Sequence, residues 1–228
     1  MVRRRTASPR QGTALTGGRA TPVPLTARGR RTRAAILDAA ALLIYQRGVR
    51  ATSLDDVLAV AGCGKSQLYH YFDDKAELVG AVIDRQLEIV LAAQPGLTHI
   101  DSWATLNAWM AGIVAMHSAP GGPFACPLGK LAAELMDDEA FRPRVDAAFD
   151  RWVGLLADGL RTMQERGALR ADAEPDRLAA NVIAALQGGM LVGRVRGDIT
   201  PMRDAVDVAR MQLRQWCPAT VDREPPTR

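Results

Sequence analysis

Apolar residues recur at three- and four-residue intervals along most of the 228-residue chain, the spacing that gathers them on one face of a helix. Ile36, Leu37, Ala40, Leu43 and Ile44 form the first such run, and Gly48 closes it, predicting a helix over about 30–47. Leu54, Val57, Leu58 and Ala61 follow at i, i+3, i+4 and i+7. Thr52, ahead of this run, and Asp55 within it stand at the capping-box interval, which predicts a short helix over 53–61. Gly62-Cys63-Gly64 interrupts the pattern before Lys65–Tyr71, long enough for two turns. On a helical wheel Leu68 and Phe72 lie within about 40° of each other, while Ser66 and His70 point the other way, flanked by Gln67 and Tyr69. Asp74 can cap a fourth helix whose apolar stripe, Leu78 to Leu91, extends to about Ala93.

Beyond Pro95-Gly96, helical patterns cover about 102–117, 127–136, 139–166, 175–195 and 202–216, separated by Pro, Gly or acidic turns and without internal repeats. The fold class is therefore all-α, a three-helix helix-turn-helix head followed by a helical body. Residues 1–28 combine Arg, Gly, Pro, Ser and Thr with almost no large apolar side chains, and are expected to be a disordered basic tail. The head spans 29–75, the body 76–218, and 219–228 forms a frayed end.

Composition sharpens this division. Apolar residues make up 48% of the chain and aromatics 5%, a mixture favouring helices, and a chain of this length buries roughly 70% of its unfolded surface. The net charge of +4 is unevenly spread: residues 1–33 hold nine Arg and no acid, leaving 20 basic against 25 acidic residues elsewhere. A basic amino end on an acidic body points to localised anion binding, with DNA, RNA or an anionic membrane surface as partners. Arg30, Arg31 and Arg33 open the first helix against its macrodipole, an arrangement that an anionic partner explains better than helix propensity does.

Two short helices across a glycine turn, braced by a preceding helix, follow the plan of a helix-turn-helix in which the third helix enters the major groove. Ser66, Gln67 and His70 then face base edges. Lys65 stands within reach of phosphate or groove, Thr52 serves as cap or phosphate donor, and Arg30, Arg31 and Arg33 follow the backbone or enter the minor groove.

Ala59–Ser66 also approximates a phosphate-binding loop ending in Gly-Lys-Ser, which would suit a nucleotide-dependent enzyme. Such a loop needs a preceding strand and a glycine at position 59, whereas an amphipathic helix leads into this one. His70, His99 and His117 have no metal-ligand spacing, and no serine sits in a nucleophile elbow. No enzyme, metal or cofactor is expected. Cys63, Cys126 and Cys217, odd in number and far apart, argue for a reducing compartment. With no run near 18 apolar residues and no hydrophobic leader, a cytoplasmic protein without a membrane partner is expected.

Residues 27–83 resemble the DNA-binding head of the TetR family of bacterial transcriptional regulators. The likeness is carried by Ile36-Leu37-Asp38-Ala39-Ala40, Gly48, Thr52, Ala61-Gly62, Leu68-Tyr69-His70-Tyr71-Phe72, Lys75 and Leu78. It implies a homodimer on a palindromic operator, usually a repressor relieved by a small molecule, and makes Tyr69 and Lys75 phosphate contacts, with Tyr71 in the same motif. Cys63 departs from the aliphatic residue usual at its turn. Residues 123–135, PFACPLGKLAAEL, resemble the YxaF/LmrA-like subgroup, whose bodies serve regulators of drug-resistance or efflux genes. An activator or multi-target regulator of the same fold is the nearest variant.

An effector cavity in the body has Trp103, Trp109, Met110, Met116, Phe124, Phe149, Trp152 and Met163 as apolar candidates and Asn107, His117 and Gln187 as polar ones. Each also suits an ordinary core. Such a cavity admits an apolar or aromatic molecule, and the fourth helix, joining head to body, is expected to transmit its binding. Gly188, Gly189 and Gly193 permit a close helix approach, read as the dimer contact with 202–216, or as packing inside one subunit.

Overall fold

The computed structural model describes residues 26–119 and 125–218. The expected tail over 1–25, the end over 219–228 and Phe124 lie outside them. Nine α-helices and one 3₁₀ turn make up the described residues, in the order α1 (Ala27–Arg47), α2 (Leu54–Ala61), α3 (Lys65–Tyr71), α4 (Lys75–Ala92), the 3₁₀ turn Pro95–His99, α5 (Trp103–Ser118), α6 (Pro127–Leu135), α7 (Arg142–Glu165), α8 (Pro175–Arg196) and α9 (Thr200–Arg214). The all-α reading is correct; the nine α-helices differ from expectation at their ends, and the 3₁₀ turn Pro95–His99 is an element the sequence pattern did not predict.

Those differences have local causes. Ala27 and Arg28, expected in the tail, belong to α1 because the Thr26 hydroxyl accepts the Gly29 amide at 3.1 Å and starts the helix earlier. The capping box of α2 sits one residue later than expected. Ser53 accepts the Asp56 amide at 3.1 Å, and Asp56 accepts the Ser53 amide at 3.0 Å. Hydrogen bonds from the Ser53 side chain, and then its backbone, hold the Asp56 carboxyl below the usual carboxylate range. α7 starts at Arg142 rather than 139, since the Asp138 carboxylate accepts the Ala140 amide at 2.9 Å and turns the acidic run into a corner.

The first three helices close over Ile36, Leu43, Val57, Leu68 and Phe72, and this cluster runs without a break into the body through Leu78, Val82 and Ile83 of α4. α8 is long and apolar enough to cross a membrane. Its Leu178, Val182, Ile183, Leu186 and Met190 are instead buried in this core. Gly189 lets α9 approach closely: a Cβ there would stand 2.7 Å from the Met202 Cα. A Cβ on Gly193 would meet the Asp198 carbonyl at 2.7 Å. Both glycines therefore serve packing within one subunit, one of the two uses expected of them, while Gly188 faces open space.

Candidate nucleic-acid interface and effector cavity

The sequence builds α3 as a short helix held by its apolar side. Gly62 ends α2 in the left-handed conformation (φ 64°), and its amide returns to the Leu58 carbonyl. Gly64 then caps α3, where its amide is accepted by the Gln67 side-chain oxygen at 3.1 Å. Leu68 is 0% and Phe72 1% exposed, so the helix is pinned beneath. Ser66, Gln67, Tyr69 and His70 are exposed, with Tyr69 at 52%.

Lys65 stands at the entry of α3, 3.1 Å from Asp55 in an exposed ion pair that costs little to break. A helix on one side and this acidic partner on the other are no setting for a nucleotide phosphate, so the phosphate-loop reading of Gly-Lys-Ser fails.

Arg28, Arg30 and Arg31 are exposed near the start of α1, which has no acidic residue in its first turn. Arg33 lies over the Phe72 ring at 5.2 Å, tying the first helix to the end of α3.

Three residues expected at the interface have other engagements. Thr52 is 2% exposed and donates its hydroxyl to the Gly48 carbonyl at 2.8 Å, so it faces the turn rather than a phosphate. Tyr71 is half-buried against the core, with its ring edge-on to His70 at 4.8 Å. Lys75 donates to the Val49 carbonyl at 2.8 Å.

That same turn is gripped from the body. Glu134 of α6 accepts the Val49 amide at 2.9 Å and the Arg50 amide at 3.1 Å. Lys130, one helical turn earlier, donates to the Tyr45 carbonyl and to that of Gln46 at 3.5 Å. A negative group thus meets free amides and a positive one meets terminal carbonyls, satisfying backbone groups that the end of α1 leaves open. Gly48 adopts φ 89°, and a Cβ there would stand 2.9 Å from Glu134, so the grip needs glycine at this point.

A half-open cavity of about 360 Å³ lies among α1, α4, α5, α7, α8 and the start of α6. Its walls are overwhelmingly apolar, and Met116, His117 and Trp152 of the expected set line it. Other candidates are dispersed. Trp109 lines a neighbouring surface pocket and bonds Gln94 at 3.3 Å. Phe149 and Gln187 line a groove beside α6 and α8. Met110 and Met163 are buried in the core. Trp103 donates to the Ala168 carbonyl at 3.0 Å beneath Arg214. Asn107 is half-buried on α5 with a buried, unpartnered side-chain oxygen. Neither Trp103 nor Asn107 lines this cavity. Ordinary packing therefore accounts for Trp103, Met110 and Met163.

Sequence reasoning missed Tyr45, Gln86, Gln94 and Cys126 in the wall. A usable signal was Gln86, a polar residue within the apolar stripe of α4; it is buried and donates to the Ala41 carbonyl at 2.9 Å. Cys126 caps α6 with its sulfur, which accepts the Gly129 amide at 3.4 Å, and burial pushes its thiol pKa up.

Comparison with known proteins gives a consistent picture. The family model for bacterial regulatory proteins of the tetR family matches residues 36–82, and that for a tetracyclin repressor-like C-terminal domain matches residues 103–209. An HTH-type transcriptional regulator from the lacX 3′ region of Lactococcus lactis subsp. lactis is 31% identical over 185 residues, covering 79% of this chain and 92% of its own. YxaF, an HTH-type transcriptional regulator of Bacillus subtilis strain 168, is 26% identical over 182 residues, 78% of this chain and 92% of its own. Among solved structures, a TetR transcriptional regulator from Chloroflexus aurantiacus J-10-FL aligns with a TM-score of 0.68 at 25% identity, over 84% of this chain and 98% of that one.

Proposed function

The chain belongs to the TetR family of bacterial transcriptional regulators, which are not enzymes, and from that premise we propose a homodimeric repressor of a palindromic operator, released when an apolar or aromatic small molecule fills the body cavity. Its target genes are those for efflux of, or resistance to, that molecule. The observation that carries this reading is α3 itself, anchored by Leu68 and Phe72 while Ser66, Gln67, Tyr69 and His70 face outward together. Tyr69 and the α1 arginines are phosphate contacts; Ser66, His70 and the amide nitrogen of Gln67 read bases. Lys65 joins them by exchanging Asp55 for phosphate.

Leu191, Val192 and Val195 of α8 and Val208 and Met211 of α9 form exposed apolar stripes at helical spacing. Two copies joined through them as a four-helix contact bury these stripes and set the heads about 34–36 Å apart, one helical turn of DNA or a multiple of it. A ligand that binds more tightly when the heads are misplaced lowers operator affinity by linkage. Two elements connect the cavity to the head. α4 carries Gln86 and Val90 in the wall, and α6 begins in the wall at Cys126 and Pro127 and ends on the turn after α1.

The test is selection of bound sequences from a random DNA pool with the full-length protein, followed by comparison with scrambled DNA at matched salt. A palindromic preference supports the reading, and its absence rejects it. Screening compounds for release from the selected site then tests the effector link.

A further inference from the structure

Gln86 interrupts the apolar stripe of α4. It is 2% exposed, set among the buried Val82, Ile83, Leu87 and Val90, and it lines the cavity. Its Nε2 donates to the Ala41 carbonyl at 2.9 Å. A carbonyl can only accept, so this bond fixes which way the amide faces and leaves Oε1 as the free atom. Oε1 has no partner among the described residues. The buried side-chain atoms there that lack a partner and are also sealed off belong to Asn107, Trp152 and Gln187. Oε1 of Gln86 is not one of them, so within a nearly buried residue it still meets open space. That space is the cavity, since Gln86 lines neither the groove beside α6 nor the pocket at Trp109.

The other polar groups of the wall leave one further free atom. Gln94 accepts the Trp109 indole N–H through Oε1 at 3.3 Å, which leaves its Nε2 as a donor, and it lines both this cavity and the pocket at Trp109. Tyr45 donates to the Ala125 carbonyl at 3.5 Å, the Cys126 sulfur accepts the Gly129 amide at 3.4 Å, and His117 has a partner of its own. Trp152 adds ring surface alone, its N–H being sealed off. Asp38, at the exposed rim, is paired with Arg85 at 2.7 Å. Among the described residues no Lys or Arg lines the cavity.

We propose that the side-chain oxygen of Gln86 is the specificity-determining contact of the cavity, and that the molecule it selects is uncharged, largely apolar and equipped with a hydrogen-bond donor, a hydroxyl or an N–H. A molecule of the same shape without a donor strips water from Oε1 and returns nothing, whereas a donor replaces the lost bond. An acceptor oxygen in a wall without a cation disfavours an anion, since a buried charge needs a partner. A volume of about 360 Å³ suits a compound of one or two rings. The assignment deepens the effector reading above and rests on it only for the consequence on DNA, because binding can be measured alone.

Diphenylmethanol and diphenylmethane share two phenyl rings and differ by one hydroxyl, so the pair isolates the donor. Titration calorimetry on the full-length protein is expected to show diphenylmethanol binding about five- to tenfold more tightly, the worth of one net hydrogen bond. Gln86→Met keeps the length of the side chain, removes the amide and leaves Gln94 untouched. It should bring the two compounds within about twofold of each other, mainly by weakening diphenylmethanol. In the wild-type protein the ¹³C resonance of the Gln86 side-chain carbonyl should move downfield with diphenylmethanol and much less with diphenylmethane, a readout independent of how the variant folds. Equal affinities, binding of neither compound, a preference surviving in Gln86→Met, or a carbonyl resonance that answers both compounds alike would each overturn the assignment. A Gln86-dependent preference without release of the selected operator would uphold it and defeat only the effector link; failure to bind any preferred DNA would defeat the regulator reading alone.

Discussion

Two hydroxyls in the head, on Thr52 and Tyr69, have different uses. That of Thr52 is buried and donated to Gly48, while Tyr69 stands in solvent on the face proposed to meet DNA. Tyr69→Phe should therefore weaken operator affinity about five- to tenfold at matched salt, with the melting temperature unchanged, as fluorescence anisotropy and calorimetry can establish. Thr52→Ala should do the reverse, lowering stability by about 1–3 kcal/mol through the unpaired Gly48 carbonyl and leaving the affinity of the folded protein intact. Asp56 supplies a pH dependence. Its carboxyl titrates below the ordinary value of 3.8 because Ser53 hydrogen-bonds the charged form. The cap's contribution is thus fully present above pH 3.8 and is lost as pH falls through the lower, folded-state value. Asp56→Asn should flatten that acid limb, followed by circular dichroism during acid titration.

At the scale of elements, neighbouring glycines of α8 make opposite predictions. Gly189→Ala places a methyl 2.7 Å from the Met202 backbone and 2.9 Å from Ala205, and should cost about 1–3 kcal/mol by forcing α9 away. Gly188→Ala meets open space, and should gain up to about 1 kcal/mol in the monomer from helix propensity; urea denaturation of the two variants measures the contrast. Helices of this kind are legible in sequence because their period is local. Residues 52–56, TSLDD, show why ends are less so: the run contains two overlapping capping boxes, and only the turn at Gly48, which takes up the Thr52 hydroxyl, selects the second. The cavity was harder still. Tyr45, Gln86, Cys126 and Trp152 come from four separate helices, and no spacing along the chain announces that they share a wall. The large side chains of the body are those any helical core requires, and Met110 and Met163 are buried in that use.

For the whole molecule, the apolar stripes of α8 and α9 and the grip of α6 carry the predictions. Val195 is 81% exposed and Met211 59%, so the double variant Val195→Asp with Met211→Asp should fold normally, sediment as a monomer and lose most operator affinity, because each half-site must then be bound separately. Glu134→Ala should keep much of the operator affinity but narrow the difference between ligand-free and ligand-bound protein, measured by anisotropy with a compound found in the release screen. The grip itself is made by a helix of only nine residues, shorter than the roughly 12–15 that hold a helix together alone in water. Leu128, Leu131 and Leu135 of that helix are buried, so packing rather than length holds it, and its amide protons are expected to exchange faster than those of the longer helices on either side, as hydrogen exchange can measure. On the proposed reading, a molecule lodging against Cys126 and Pro127 is expected to change how often the latch on the reading head is fastened, which amide exchange of α6 with and without a compound from the release screen would measure.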